Sequence, residues 1–102
     1  MLKIKMEKLK LSGFDVSKSE KATITELIET YENKFEREAN YQQLSLRLKK
    51  SQQINNVLYE VETKLDINGK IFNAKVTDYN MFVAVSTTLN KILNELKHYQ
   101  KK

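Results

Sequence analysis

The pair Asn68-Gly69 sits between two runs whose apolar residues alternate with polar ones, Tyr59 to Ile67 and Lys70 to Val76. Asn-Gly is a preferred pair for a two-residue type I′ turn, because both central positions need a positive φ. With these two residues as the turn, Ile67 opposes Lys70, Leu65 opposes Phe72, Thr63 opposes Ala74 and Val61 opposes Val76. The apolar residues of both runs then fall on one side of the ribbon, and Glu62 faces Lys75 on the other, an opposite-charge cross-strand pair. Turn chemistry and hydrophobic phase select one register, since a slip of one residue would turn every apolar side chain to the wrong face. A ribbon with one apolar face must be covered by a second layer.

Two amphipathic segments can supply that layer. Ile24, Leu27, Ile28, Tyr31 and Phe35 recur at three- and four-residue intervals and predict a helix over residues 18–38. Ser17 is its expected N-cap, with Glu20 at the capping-box position. Phe82, Val85, Leu89, Ile92, Leu93, Leu96 and Tyr99 predict a second helix from Tyr79 towards Lys102, capped by Asp78. Leu2, Ile4 and Met6 alternate with lysines, and Leu9 and Leu11 continue in the opposite phase, so residues 2–11 read as a strand with a bulge near Glu7-Lys8. Leu44, Leu46 and Leu48 give another strand, followed by a polar loop from Ser51 to Asn56. The expected fold is one α+β domain over residues 1–102: a two-layer sandwich of order βαβββα, with a four-stranded, mainly antiparallel sheet and both helices on one face.

The chemistry left to such a domain is narrow. The chain has no cysteine and one histidine, which excludes disulfides, thiolate metal sites and cysteine nucleophiles. His98 lies in a lysine-rich helix end, where a solvated side chain is expected rather than a general base. The two glycines, Gly13 and Gly69, are too far apart for a phosphate-cradling loop. The carboxylates of the first helix are spaced as a solvated face. These features predict a protein that is not an enzyme, needs no cofactor or metal and takes no small-molecule substrate. No apolar run is long enough to span a bilayer and the N-terminus lacks a continuous apolar segment, so a cytoplasmic protein without a membrane partner is expected.

What remains is binding by charge and shape. The formal net charge is +5, with eighteen Lys and Arg against thirteen Asp and Glu. A basic excess on a small domain points to a polyanion, and lysines reaching phosphates supply affinity more than sequence selectivity. The aromatics fall mostly at core positions, so the pattern points to structured RNA held by its backbone. Lys3, Lys5, Arg47, Lys49 and Lys75 are expected on the open face of the sheet, with Lys50 at the end of the second strand, and Lys91, Lys97 and Lys101 on the second helix. Glu26, Glu29, Glu32, Glu36 and Glu38 outnumber Lys34 and Arg37 on the first helix, which predicts that this helix is not a main RNA contact.

Residues 67–102 carry Asn68-Gly69, then Ala74, then Asn80-Met81-Phe82-Val83-Ala84-Val85-Ser86 leading into Lys91-Ile92. This run resembles the C-terminal half of bacterial ribosome hibernation factors, the ribosome-associated translation inhibitors also called sigma-54 modulation proteins. "LSLRLKK", residues 44–50, looks like the second strand of that family. Length matches the short form, which lacks the long C-terminal dimerisation domain. The resemblance implies the same βαβββα topology, similar to a double-stranded-RNA-binding domain. It implies a stress and stationary-phase factor that binds the small ribosomal subunit and its rRNA, occupies the mRNA and tRNA channel and silences translation, acting as a monomer. By position, Arg47 and Lys50 match basic strand residues of the family, and Lys91 matches its helix lysine. The alternative is a protein–protein interaction module of the same fold that has lost ribosome binding.

Overall fold

The computed structural model describes residues 8–100. Their order is β1 (Leu9–Ser12), α1 (Lys18–Glu38), β2 (Gln43–Gln52), β3 (Val57–Ile67), β4 (Lys70–Asp78) and α2 (Met81–Gln100). The four strands form one sheet in sequence order. β1 runs parallel to β2, while β2, β3 and β4 form an antiparallel meander. The expected α+β architecture is therefore the observed one, with a mixed sheet. Of the strand expected over residues 2–11, with a bulge near Glu7-Lys8, β1 accounts for Leu9 to Leu11, and residues 2–7 lie outside the described residues.

The β3–β4 hairpin has the expected register throughout, from Ile67↔Lys70 to Val61↔Val76. Asn68 and Gly69 both have positive φ, 52° and 88°, as a type I′ turn requires. The Asp66 carboxylate accepts the Gly69 N–H at 2.9 Å and the Gln42 side chain accepts the Asn68 N–H, so the turn is braced from the residue before β2 as well as from its own strand. Strand β2 continues through Ser51 and Gln52, which the sequence reading placed in a loop. The antiparallel ladder to β3 extends to Gln52↔Val57 and leaves Gln53–Asn56 as the tip.

Helix α1 has the expected bounds and cap. The Glu20 N–H donates to Ser17 Oγ, and the Ser17 N–H donates to Glu20 Oε1 at 3.1 Å. Helix α2 differs: it starts at Met81, and Asn80 rather than Asp78 caps it. Asn80 Oδ1 accepts the N–H groups of Phe82 and Val83 at 2.9 and 3.1 Å. Asp78 Oδ1 accepts the Asn80 N–H at 2.8 Å and so holds the cap in place. Strand pairing explains the difference, because Asp78 still opposes Tyr59 in the sheet and is not free to begin a helix. Replacing Asn80 with Ala should lower stability by about 1 kcal/mol, read as a lower urea midpoint at unchanged slope; an unchanged midpoint would show that the cap is dispensable.

Both helices cover the same face of the sheet. Ile24, Ile28 and Phe35 from α1 and Val85, Leu89, Ile92 and Leu96 from α2 meet Leu44, Leu46, Val61 and Leu65, all buried. Burying each such side chain contributes about 1.5–3 kcal/mol relative to exposure. A polar seam crosses this core: Thr63 Oγ1 donates to Thr88 Oγ1 at 2.9 Å, which donates to Val85 O. Tyr99, assigned to the buried stripe by its spacing, is 47% exposed and packs edge-on against Phe72. It lies at the last turn of α2, where the sheet beneath has reached its end strand.

Candidate nucleic-acid interface

Strand alternation places Lys10, Arg47, Lys49, Lys64 and Lys75 on the open face of the sheet, opposite the helices. Among the described residues, three acids share that face, Glu60, Glu62 and Asp66, all on β3. Their distribution decides what the face can bind. One row across the sheet runs Lys10, Ser45, Lys64, Asn73 and carries no acid. The next runs Ser12, Arg47, Glu62, Lys75. Lys10, Ser12, Ser45, Arg47, Glu62 and Lys64 line a concavity of about 220 Å³ between these rows. It holds three cations and one carboxylate.

The pairing of Glu62 differs from expectation. Glu62 does oppose Lys75 in register, but its carboxylate lies 3.3 Å from the Arg47 guanidinium, and Lys75 lies diagonally 3.8 Å from Glu60. Glu62 sits between two cations in one row, and the broad guanidinium reaches it from β2. Exposed pairs of this kind hold only about 0–1 kcal/mol, so a polyanion can draw both cations away.

A second concavity, of about 280 Å³, opens on the outer side of the helix layer. Lys34, Arg37 and Glu38 of α1 and Asn90, Leu93, Asn94 and Lys97 of α2 line it. Three cations again face one carboxylate, with two side-chain amides between them. Lys34 also lies 4.8 Å from the centre of the Tyr31 ring. The excess of acids on α1 predicts that it is not a main RNA contact, yet its last turns present Lys34 and Arg37 beside Lys97. The exposed acids Glu26 and Glu29 lie earlier in the helix, Glu36 is exposed within those last turns, and Glu32, counted with them from its spacing, is 2% exposed. Tyr41 donates a hydrogen bond to Glu32 at 3.0 Å. Burial, and then the Glu32 charge, push the Tyr41 phenol above its ordinary range.

The remaining expected residues are dispersed. Lys49 lies on the open face opposite Glu60. Lys50 shares the phase of Leu48, on the other side of the sheet, and its ammonium donates to Asp15 O at 2.9 Å, which ties down the β1–α1 loop. Lys91 is exposed on α2 but lines neither concavity, whereas Lys97 lines the second. Lys3, Lys5 and Lys101 lie outside the described residues. The sequence-derived set omitted Lys64, although the hairpin register alone places it on the open face. It also omitted Lys34 and Arg37, whose role appears only once the two helices are packed together. Ile54, 97% exposed at the β2–β3 tip, is an apolar side chain in a loop that reads as polar.

No protein-family model matches the sequence, and no curated protein does. Solved structures do match. The N-terminal domain of Thermus thermophilus Protein Y superposes with a TM-score of 0.62 at 15% identity, over 88% of this chain and 94% of that one. A ribosomal subunit interface protein from Coxiella burnetii gives 0.61 at 20% identity, over 92% and 98%. At these identities the likeness establishes the fold.

Proposed function

We propose that this chain is a non-enzymatic ribosome-binding factor. In this reading, residues 1–102 act as one unit that occupies the mRNA and tRNA channel of the small ribosomal subunit and silences translation during starvation and stationary phase. The protein works in the cytoplasm, and its partner is rRNA.

The observation that carries the reading is the presence of cation-rich concavities on both layers of a thin sandwich, whose Cα atoms span 45 × 36 × 19 Å. A protein that rests on one RNA surface needs one basic face. A slab lodged in a channel meets RNA on two sides, and this chain has cations for both. The fold supports the reading, since one protein sharing it is described as a ribosomal subunit interface protein. The mechanism is occupancy: a stiff domain held by several phosphate contacts excludes other RNA from the same space. Arg47, Lys49, Lys75 and Lys97, with Lys10, Lys64, Lys34 and Arg37, are the proposed contacts. Lys50 and Lys91 are peripheral, and Lys3, Lys5 and Lys101 are further candidates.

Binding to purified small subunits, measured by pelleting across a salt series, tests this. If about five phosphates are neutralised, the log–log slope is about −4. A slope near zero, or no binding at low salt, would contradict it.

The acidic stretch of α1 over residues 26–38, with Glu26, Glu29 and Glu36 exposed, favours a second reading, in which this fold serves as a protein-interaction module. That reading predicts no association with small subunits at any salt concentration.

A further inference from the structure

Strand β4 ends the sheet, and among the described residues no strand pairs with its outer edge. The two-residue turn fixes which backbone groups face that edge. Ile67 and Lys70 close the turn as a hydrogen-bonded pair, so Lys70, Phe72, Ala74, Val76 and Asp78 point their N–H and C=O groups towards β3. Ile71, Asn73, Lys75 and Thr77 point theirs outward. An unpaired edge nine residues long is a template for another strand.

The sequence of β4, Lys-Ile-Phe-Asn-Ala-Lys-Val-Thr-Asp, is complementary to itself when reversed. We propose that two copies of this chain pair antiparallel along β4, with the twofold axis at Ala74. Lys70 then faces the partner's Asp78 at both ends, Phe72 faces the partner's Val76, and Ile71 faces the partner's Thr77. Asn73 faces the partner's Lys75. The outward-pointing residues are those that become hydrogen-bonded pairs in this register, so side-chain and backbone complementarity coincide. Ala74 meets its own copy in a non-hydrogen-bonded pair, the closer type, at about 4.5 Å between Cα atoms. A small side chain suits that spacing.

Two further features fit. Ile71 is 51% exposed on the open face, and Tyr99, 47% exposed, lies over Phe72 on the helix side, so apolar surface flanks the edge on both faces. Lys75 would ordinarily discourage an edge from pairing, but Glu60 lies 3.8 Å from its ammonium and offsets its charge. The contact is confined to a strand edge and is small for a stable dimer, so association in the micromolar range or weaker is expected. This pairing contrasts with the monomer implied by family resemblance, and it stands whether or not the ribosomal reading does.

Sedimentation equilibrium of the whole chain up to millimolar concentration should show a reversible dimer. Lys70→Glu should weaken it by roughly tenfold, because an attractive pair becomes a repulsive one at both ends. The chain has no cysteine of its own, so a single introduced thiol reports the register. Ala74→Cys should give a covalent dimer under mild oxidation, since the Cα spacing falls within the disulfide range. Thr77→Cys should not, because the two copies of residue 77 lie near opposite ends of the paired strands. A wild-type chain that stays monomeric at millimolar concentration would overturn the proposal. So would equal cross-linking of the two cysteine variants.

Discussion

Gly13→Ala should be among the most destabilising single substitutions in this protein, lowering stability by about 3 kcal/mol. Gly13 follows β1 with φ +78°, a left-handed conformation that a side chain disfavours. A Cβ there would also lie 2.2 Å from Leu48 O. That oxygen belongs to the backbone of β2, which is held by strands on both sides and cannot retreat as a side-chain tip could. The left-handed penalty is about 1–2 kcal/mol, and the clash adds about 1–3 kcal/mol. Gly69 provides the internal comparison. Its φ is similar, +88°, but a Cβ there would meet nothing within 4 Å. Gly69→Ala should therefore cost about 1 kcal/mol, the conformational part alone. Urea denaturation of the two variants separates the contributions. If Gly13→Ala costs no more than Gly69→Ala, the close approach to β2 is not what holds the β1–α1 connection in place.

The second large effect concerns binding. Reversing Lys34, Arg37 and Lys97 to Glu removes every cation lining the groove between the helices. If that groove meets phosphates, affinity for the small subunit should fall by about a hundredfold or more and the salt slope should shrink by about 2–3. Reversing Lys10, Arg47 and Lys64 should have a comparable effect from the open side of the sheet. Glu26→Gln with Glu29→Gln, on the acidic part of α1, should change affinity by less than about twofold, since exposed charges away from the contact are screened. Loss from one cationic concavity alone would mean that RNA is met on one side, and the channel-filling geometry would be wrong even if binding is real.

The parts of this fold that could be read from sequence are those set by local rules. Asn68-Gly69 fixed its turn, and the turn fixed the register of two strands, because both depend on residues adjacent in the chain. The capping box at Ser17 and Glu20 was legible for the same reason. The start of α2 was not: Asp78 and Asn80 are both good caps, and only the pairing of Asp78 with Tyr59 in the sheet decides between them. The end of β2 was misplaced because Ser51 and Gln52 are polar on both sides, which hides a strand that projects beyond the core.

The interface was legible in proportion to its dependence on single strands. Arg47, Lys49 and Lys75 follow from alternation, and they do lie on one face. Lys50 follows from the same rule on the opposite face, but its membership of a basic run obscured that. The groove lined by Lys34, Arg37 and Lys97 depends on how two helices pack, which no local pattern encodes. Ion pairing was likewise ambiguous, since Glu62 sits between two cations and its choice of Arg47 depends on side-chain reach rather than on register.

The most direct test of the central claim is the sedimentation of lysates from starved cells through a density gradient at low salt, with the protein detected in each fraction. Ribosome binding through phosphates predicts that it migrates with particles containing the small subunit and moves to the top of the gradient when salt is raised. A protein found at the top under both conditions, in growth and in starvation, would contradict it.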